Sequence, residues 1–503
     1  MLGAFIGGEQ PLSVFLFSWL LMKFLFPLLL GALPGLAQAP APTACGCPQN
    51  FAEVRRLTET NYAGYRDKVT PATRPRLDSL TTALRAQADT AHATTCWRVL
   101  QQWTQFFRDG HLGLQDEHTP RVNTDSIRAR YATTARLPWT RAGFRAYLAD
   151  PQRPKKPLEG IWRDGGGGGY EVGIVAAGPA QYQAFVLKAD SVFWVPGQVK
   201  FAFADPGSDP TTGSVAGTYY MRNHAPEPRR VQVTSDGVLD LNGPWYRAYP
   251  RPVAGATPPA RHSFQMLDDT TALYRIASFD GNYRARIDSL TKANAANLRR
   301  TKLLILDVRN NGGGSDNSYR SLIPYLYTNP VQEVGVALYS TADNNRKYSG
   351  ALFPDMTAKE KLYYAHLRRR LDGRLGQLVN QQRSKHIQYI RRRRGQQHPE
   401  LTRVAVLQNR YCGSTTEQFL LTARQSRKTT TFGEHSYGSL DYSNVQHAPL
   451  PCYNLRLNWA TSRSYRLDRG EGIDNVGILP TVPLDPNAPD LVEQVRAWYR
   501  QRH

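Results

Sequence analysis

Leu303-Leu304-Ile305-Leu306-Asp307-Val308-Arg309-Asn310-Asn311-Gly312-Gly313-Gly314-Ser315 begins as an unbroken apolar run and ends in three glycines. An apolar run of this length, without alternation, is what a strand covered on both faces requires. The glycines free the backbone to turn its N–H groups toward a bound group, and such donors suit a developing oxyanion. Taken alone, the segment reads as a plain turn. Upstream, residues 273–278 read as a strand and 285–298 as a helix. Downstream come a helix-like stretch through Tyr327, strands at 404–407 and 429–432, and a helix at 415–424 between them. Strands alternating with helices predict an α/β layer fold. The expected core is therefore residues 260–345 and 400–490, interrupted by a basic, helical insertion at 346–399 and closed by a helix at 491–503.

Working outward, 503 residues exceed what one hydrophobic core serves. Proline-rich breaks at 151–157 and 250–259 bracket short β-branched runs punctuated by Gly and Pro. Residues 155–250 thus read as a small β-barrel or sandwich module. The glycine run at 165–169 is followed by no Lys-Ser/Thr, so it reads as a hairpin and not as a phosphate cradle. Residues 40–150 read as an N-terminal helical domain. Phe51, Val54 and Leu57 recur at helical spacing, as do Cys96, Val99, Leu100, Trp103, Phe106 and Phe107. Asp109-Gly110 ends the second of these helices and leaves His111 on a turn. The whole reads as a multidomain α+β chain.

Lys+Arg 63 against Asp+Glu 41 gives a net charge of +22. The positives are spread along the chain, with dense runs only at Arg368-Arg369-Arg370 and at 391–394. Neither zinc-finger spacing nor an RNA-binding aromatic signature accompanies them, so no nucleic-acid partner is expected. Residues 12–37 are almost wholly apolar apart from Lys23. Met22-Lys23, the apolar 24–36 and Ala37-Gln38-Ala39 have the order of a secretory leader, with Met22 as an alternative start. The expectation is an exported protein, periplasmic or secreted, with residues 1–39 removed by cleavage near Ala39. Contact with a membrane would arise only through that segment left uncleaved. Five cysteines suit an oxidising compartment. The expected pairs are Cys412 with Cys452, and Cys96 with Cys45 or Cys47. No spacing among them supplies four metal ligands.

The second candidate segment is Tyr411-Cys412-Gly413-Ser414-Thr415-Thr416-Glu417. Ser414 and Glu417 have the spacing of a capping box, which is a structural role. A serine at a helix N-terminus also has the following N–H and the helix dipole available to an oxyanion. The common G-x-S-x-G hydrolase signature is absent.

These two segments resemble, in order and spacing, the strand-D-x-R-x-N-G-G-G and S-x-x-E segments of the tail-specific, or C-terminal processing, serine peptidases and their tricorn-core relatives (serine-peptidase family 41). Phe432-Gly433-Glu434-His435-Ser436-Tyr437-Gly438 is similar to that family's G-E-x-T-x-G turn. Ile473-Asp474-Asn475-Val476-Gly477-Ile478-Leu479-Pro480 is similar to its closing strand. The resemblance spans residues 262–342 and 402–486. It implies a ClpP/crotonase-like catalytic core, a polypeptide substrate, and Ser414 as nucleophile, with no metal or organic cofactor.

Where the Ser/Lys branch of the family has its lysine base, this chain has Ser439. Phe107-Arg108-Asp109-Gly110-His111-Leu112 resembles the D-G-H segment of the branch that uses histidine. That resemblance implies His111 as base, a role its ordinary pKa suits. Gly110 stands where tricorn-like enzymes carry a second serine. Asp474 is the expected carboxylate behind the imidazole, with Glu471 as its substitute. The expected oxyanion donors are the N–H of Thr415 and one from Gly313 or Gly314. The function so implied is an exported serine endopeptidase. The alternative keeps the fold without the catalysis, as a binding protein for a peptide or hydrophobic ligand. Nothing in the sequence fixes an oligomeric state.

Overall fold

The computed structural model describes residues 45–116, 128–129, 131–165, 169–189, 192–207, 214–221, 224, 226–233, 238–241, 244–250, 262–348, 357–382, 387–390, 398, 400–486 and 490–502. The expected leader at 1–39, most of the second proline-rich linker and the arginine run at 391–394 lie outside the described residues.

The chain opens with three main helices, α1 (Cys47–Asn61), α2 (Arg74–Thr90) and α3 (Ala93–Gln105). The apolar stripes read from the sequence face inward: Phe51, Val54, Leu57, Cys96, Leu100, Trp103 and Phe107 are all buried. They do not enclose a core of their own. The same cluster contains Tyr442, Leu450, Leu455, Leu457 and Trp459, from the far end of the chain. After the turn at His111 the chain enters strand β1 (Gly113–Asp116), too short to show an alternation pattern. A further helix, α4 (Arg141–Ala149), precedes the β-rich module.

That module is a closed eight-stranded antiparallel barrel, so of the two expected forms it is the barrel. Its strands are β2 (Gly160–Asp164), β3 (Glu171–Ala176), β4 (Gln181–Lys188), β5 (Val199–Ala204), β6 (Ser214–Tyr220), β7 (Pro226–Val233), β8 (Leu239–Asp240) and β9 (Pro244–Tyr249). Closure by β2 pairing with β9 removes both sheet edges. Trp162, Val172, Ile174, Phe201, Phe203, Val231 and Trp245 fill the inside.

A six-stranded sheet follows. Strand β10 (His262–Met266) is antiparallel to β11 (Thr271–Ile276); helix α5 (Arg284–Ala293) then leads to β12 (Leu303–Asp307), which is parallel to β11. The strands β17 (Arg403–Gln408), β18 (Thr429–Gly433) and β21 (Val482–Pro483) extend it in parallel, giving the order β10-β11-β12-β17-β18-β21. Leu304, Leu306, Val404 and Val406 pack into one cluster, while Leu303, Ile305, Ala405 and Leu407 face the other with Val495 and Tyr499 of the last helix. Successive side chains of a strand point to opposite faces, so two buried faces make the unbroken apolar run.

The expected helical insertion is only partly helical. After β13 (Val331–Val334) and β14 (Val336–Tyr339), helix α6 (Ala358–Asp372) gives way to β15 (Leu378–Asn380) and β16 (Ile387–Ile390). β15 joins a second, antiparallel sheet by pairing with β14, and β16 pairs with β13. Edge pairing along β14 and β13, absent from any local sequence signal, overrides the helical reading. Helix α7 (Thr415–Ala423) follows β17, and the hairpin β19 (Tyr442–Pro449) and β20 (Leu455–Ser464) completes the second sheet. Helix α8 (Leu491–Arg500) closes the chain. No helix among the described residues is long and apolar enough to cross a membrane.

Disulfides join Cys45 to Cys452 and Cys47 to Cys96. The expected Cys412–Cys452 pair is therefore wrong. Cys412 is buried in the core sheet with its Sγ donating to the Val308 carbonyl, whereas Cys452 lies against α1, where Asn50 bonds its backbone twice.

Candidate active site

Ser414 sits between β17 and α7 at φ 54°, ψ −120°. A side chain at such a dihedral pair costs about 1–3 kcal/mol, so its surroundings must impose it. They do so from three directions. The Gly413 N–H donates to the Asn311 carbonyl (3.2 Å). Gly313, at φ 106°, brings its Cα so close that a Cβ there would lie 2.9 Å from the Ser414 Cβ. The Ser414 N–H donates to the Glu417 carboxylate (3.1 Å).

Glu417 is fully buried, and its carboxylate also accepts from the Ser436 hydroxyl (2.6 Å) and the N–H groups of Gly438 (2.7 Å) and Ser439 (2.8 Å). The capping-box spacing is thus real, but the carboxylate also fastens the serine turn to the 436–439 loop. A strained strand-to-helix turn carrying a serine is the geometry of a nucleophile elbow, here without the G-x-S-x-G signature.

The glycine turn is held by Asn311. Its buried Oδ1 accepts from Phe279 N–H (3.1 Å) and Gly313 N–H (3.0 Å), and its Nδ2 donates to the Ile276 carbonyl (3.0 Å). Asn409 latches this turn to the serine turn, accepting the Asn310 N–H (2.9 Å) and donating to the Asn310 side chain (2.8 Å). Beneath it, burial would raise Asp307, but Arg309 and Arg275 outweigh that and hold the carboxyl at about 2. The Gly313 N–H, one of the expected oxyanion donors, is consequently already engaged by its own loop. The N–H groups of Gly314 and Thr415 make no hydrogen bond among the described residues, and Gly314 is exposed.

His111 reaches this turn from the other end of the chain. Its Nε2 is 3.0 Å from Ser414 Oγ, and its Nδ1 is 2.7 Å from the Tyr442 carbonyl oxygen. A carbonyl only accepts, so Nδ1 carries the proton and Nε2 presents its lone pair to the serine O–H. The Asp109 carboxylate accepts the His111 backbone N–H (2.8 Å) and sets the turn. Tyr442 is fixed in turn by its hydroxyl, which donates to Asp67 (2.8 Å). Sequence reasoning missed Tyr442, and no side-chain signal could have found it, because the group that matters is main chain.

Asp474 does not bond the imidazole, which corrects the expectation. One of its oxygens accepts the N–H groups of Leu440 (2.8 Å) and Asp441 (2.9 Å). Asp441 reciprocates, accepting from Ile473 (2.7 Å) and Asp474 (2.8 Å). The two carboxylates clamp the strand entry that presents the Tyr442 carbonyl. The other Asp474 oxygen is buried without a partner among the described residues. Burial first, then the charges of Asp109 and Asp441, push the Asp474 carboxyl up to about 7. Glu471, the expected substitute, is exposed and paired with Arg469 (2.7 Å).

Ser439, where the Ser/Lys branch has its lysine, is buried beside Gly110. A Cβ on Gly110 would lie 2.9 Å from Ser439 Cβ and 2.8 Å from Tyr437 Cε1, so the 437–439 loop occupies the space a second serine would need. Burial pushes the Cys412 thiol up to about 12, which keeps it protonated and no rival to the serine two residues on. Among the described residues no group of three His, Cys, Asp or Glu side chains is placed to hold a metal ion.

No curated protein matches the chain as a relative. Among solved structures it is similar to mature CPAF, at 12% identity, with 91% of this chain and 95% of that one covered and a TM-score of 0.45. It is similar to a putative peptidase from Parabacteroides merdae ATCC 43184, at 14% identity, 91% and 96% coverage and a TM-score of 0.40. It is similar also to the photosystem II D1 C-terminal processing protease, at 13% identity, 90% and 97% coverage and a TM-score of 0.38. Residues 270–484, which carry Ser414, the glycine turn and the Tyr442 carbonyl, match the model of Peptidase family S41, and that match supports a serine-type peptidase.

Proposed function

We propose that the protein is an exported serine endopeptidase in which Ser414 is the nucleophile and His111 the base. The observation that carries this reading is the 3.0 Å contact between Ser414 Oγ and a His111 Nε2 whose lone pair is fixed by the Tyr442 carbonyl. A serine hydroxyl needs an adjacent base to attack, and here it has one within hydrogen-bond reach. Ser414 Oγ attacks the scissile carbonyl while Nε2 takes its proton, and the imidazolium then returns a proton to the leaving amine. In this reading the N–H groups of Thr415 and Gly314, which have no partner among the described residues, bind the oxyanion; losing one such donor costs about a hundredfold or more in rate. A backbone carbonyl fixes the tautomer as a carboxylate would, but it bears no charge, so it stabilises the imidazolium less.

Two disulfides suit export to an oxidising compartment, and residues 1–39 have the order of a cleaved leader. A polypeptide is the substrate in keeping with the match to the Peptidase family S41 model. The test is labelling with a serine-directed aryl phosphonate and hydrolysis of an unfolded protein. Labelling is expected at Ser414, absent in Ser414→Ala and slowed about a thousandfold in His111→Ala. Intact protein that neither takes the label nor cuts a peptide bond would overturn the reading.

A further inference from the structure

Three large apolar side chains stand out in solvent on the loops beside Ser414 and His111: Tyr437 is 54% exposed, Val476 66% and Leu479 66%. Scattered exposed hydrophobics need no explanation, but these three lie on two loops that hydrogen-bond to each other. Tyr437 bridges the two halves of the site. Its N–H donates to the carbonyl of Cys412 (2.7 Å), two residues before Ser414, and its ring lies over the Gly110 Cα, one residue before His111.

The loop bearing Val476 and Leu479 runs alongside and is fixed, not loose. Ser436 N–H donates to the Ile478 carbonyl (3.1 Å), and Asn475 N–H to the Gly438 carbonyl (2.9 Å). The Asn475 side chain donates to the Arg108 carbonyl (2.8 Å), on the turn that leads to His111. Within this loop Ile478 is turned inward and buried, so the fold uses one apolar side chain and leaves Val476 and Leu479 facing water.

We propose that Tyr437, Val476 and Leu479 form an apolar platform that seats aliphatic or aromatic side chains of the substrate polypeptide next to the bond to be cut. The proposal rests on the serine-peptidase reading, because the platform is continuous with the Ser414 and His111 turns. Its occupant is an extended or unfolded chain, since the same turns must receive a peptide carbonyl. None of the three carries a charge, so the selection is for apolar side chains near the cut, not for a basic or acidic one. Burying an exposed aromatic or aliphatic side chain against a ligand typically changes affinity by about three- to tenfold.

The test has two arms. In the first, fluorescein-labelled unfolded casein is titrated with Ser414→Ala protein, with and without Tyr437→Ser or Leu479→Ser. Binding is expected to weaken about tenfold with Tyr437→Ser and about threefold with Leu479→Ser. Both side chains are largely exposed, and a melting midpoint equal to that of the Ser414→Ala parent checks that each variant keeps the fold. In the second arm, cuts made in unlabelled casein by the active protein are mapped by mass spectrometry. Apolar residues are expected within two positions of the cut, with the enrichment reduced in Tyr437→Ser. Unchanged affinity in both variants, or cuts without apolar enrichment, would overturn the platform. Should the active protein cut nothing, the catalytic reading fails, and the binding arm still decides the platform by itself.

Discussion

The serine side and the histidine side of the site are built on opposite principles. On the serine side, one buried carboxylate, Glu417, gathers four donors and ties a strained turn to its neighbouring loop. On the histidine side, three carboxylates, Asp109, Asp441 and Asp474, each keep one buried oxygen without a partner among the described residues. They hold backbone, not the ring, and the ring itself leans on a main-chain carbonyl. A fully bonded carboxylate fixes geometry through its contacts, whereas burial raises the half-satisfied Asp441 and Asp474 and ties the geometry they hold to protonation.

Three measurements bear on that contrast. The largest effect is expected at Glu417. Glu417→Ala leaves a hydroxyl and three N–H groups buried without an acceptor, and should lower unfolding stability by about 4 kcal/mol in urea titrations and abolish labelling of Ser414. A loss under 1 kcal/mol would show that the serine turn does not depend on this carboxylate. Next is Gly110→Ala, whose new methyl meets Tyr437 and Ser439 at less than van der Waals distance. Displacing His111 by a fraction of an ångström should cut kcat/KM about a hundredfold, with a stability loss of about 1 kcal/mol.

The smallest effect is a pH dependence. The Asp474 carboxyl is raised from 3.8 to about 7 in the folded protein, so between those values the folded state binds more protons than the unfolded. Stability should therefore fall as pH rises from about 4 to about 7, and level off above. Asp474→Asn keeps an oxygen for the Leu440 and Asp441 N–H groups and removes the titration. The variant should match the wild type near pH 4 and exceed it by about 2 kcal/mol at pH 8, about half the full linkage value because solvent screens the half-buried side chain, read from melting or urea midpoints. Identical slopes for the two proteins would remove the histidine side's protonation linkage.

Much of the core sheet was legible because the run at 303–308 signals two buried faces, and Ser414 and His111 each sat in a recognisable segment. The ring's support was not legible. Sequence patterns encode side chains, and a search for an acid behind the histidine finds Asp474, although the acceptor is the carbonyl of Tyr442. Likewise Ser414-Thr415-Thr416-Glu417 reads the same whether it caps a helix or strains a turn; only φ tells them apart. The misread disulfide has a similar origin, since Cys412 and Cys452 are consecutive cysteines in the sequence while Cys452 belongs in space with the amino-terminal helices. β15 and β16 gain their identity from partners elsewhere in the chain, which local propensity does not record.

His111 and Ser414 are 303 residues apart in the chain. On the ribosome the imidazole emerges long before the alcohol, and the hairpin that supplies the ring's acceptor comes later still. A copy that ends before Tyr442 therefore carries both side chains but lacks the carbonyl that holds the ring, so the pairing depends on a part of the chain made after either of them.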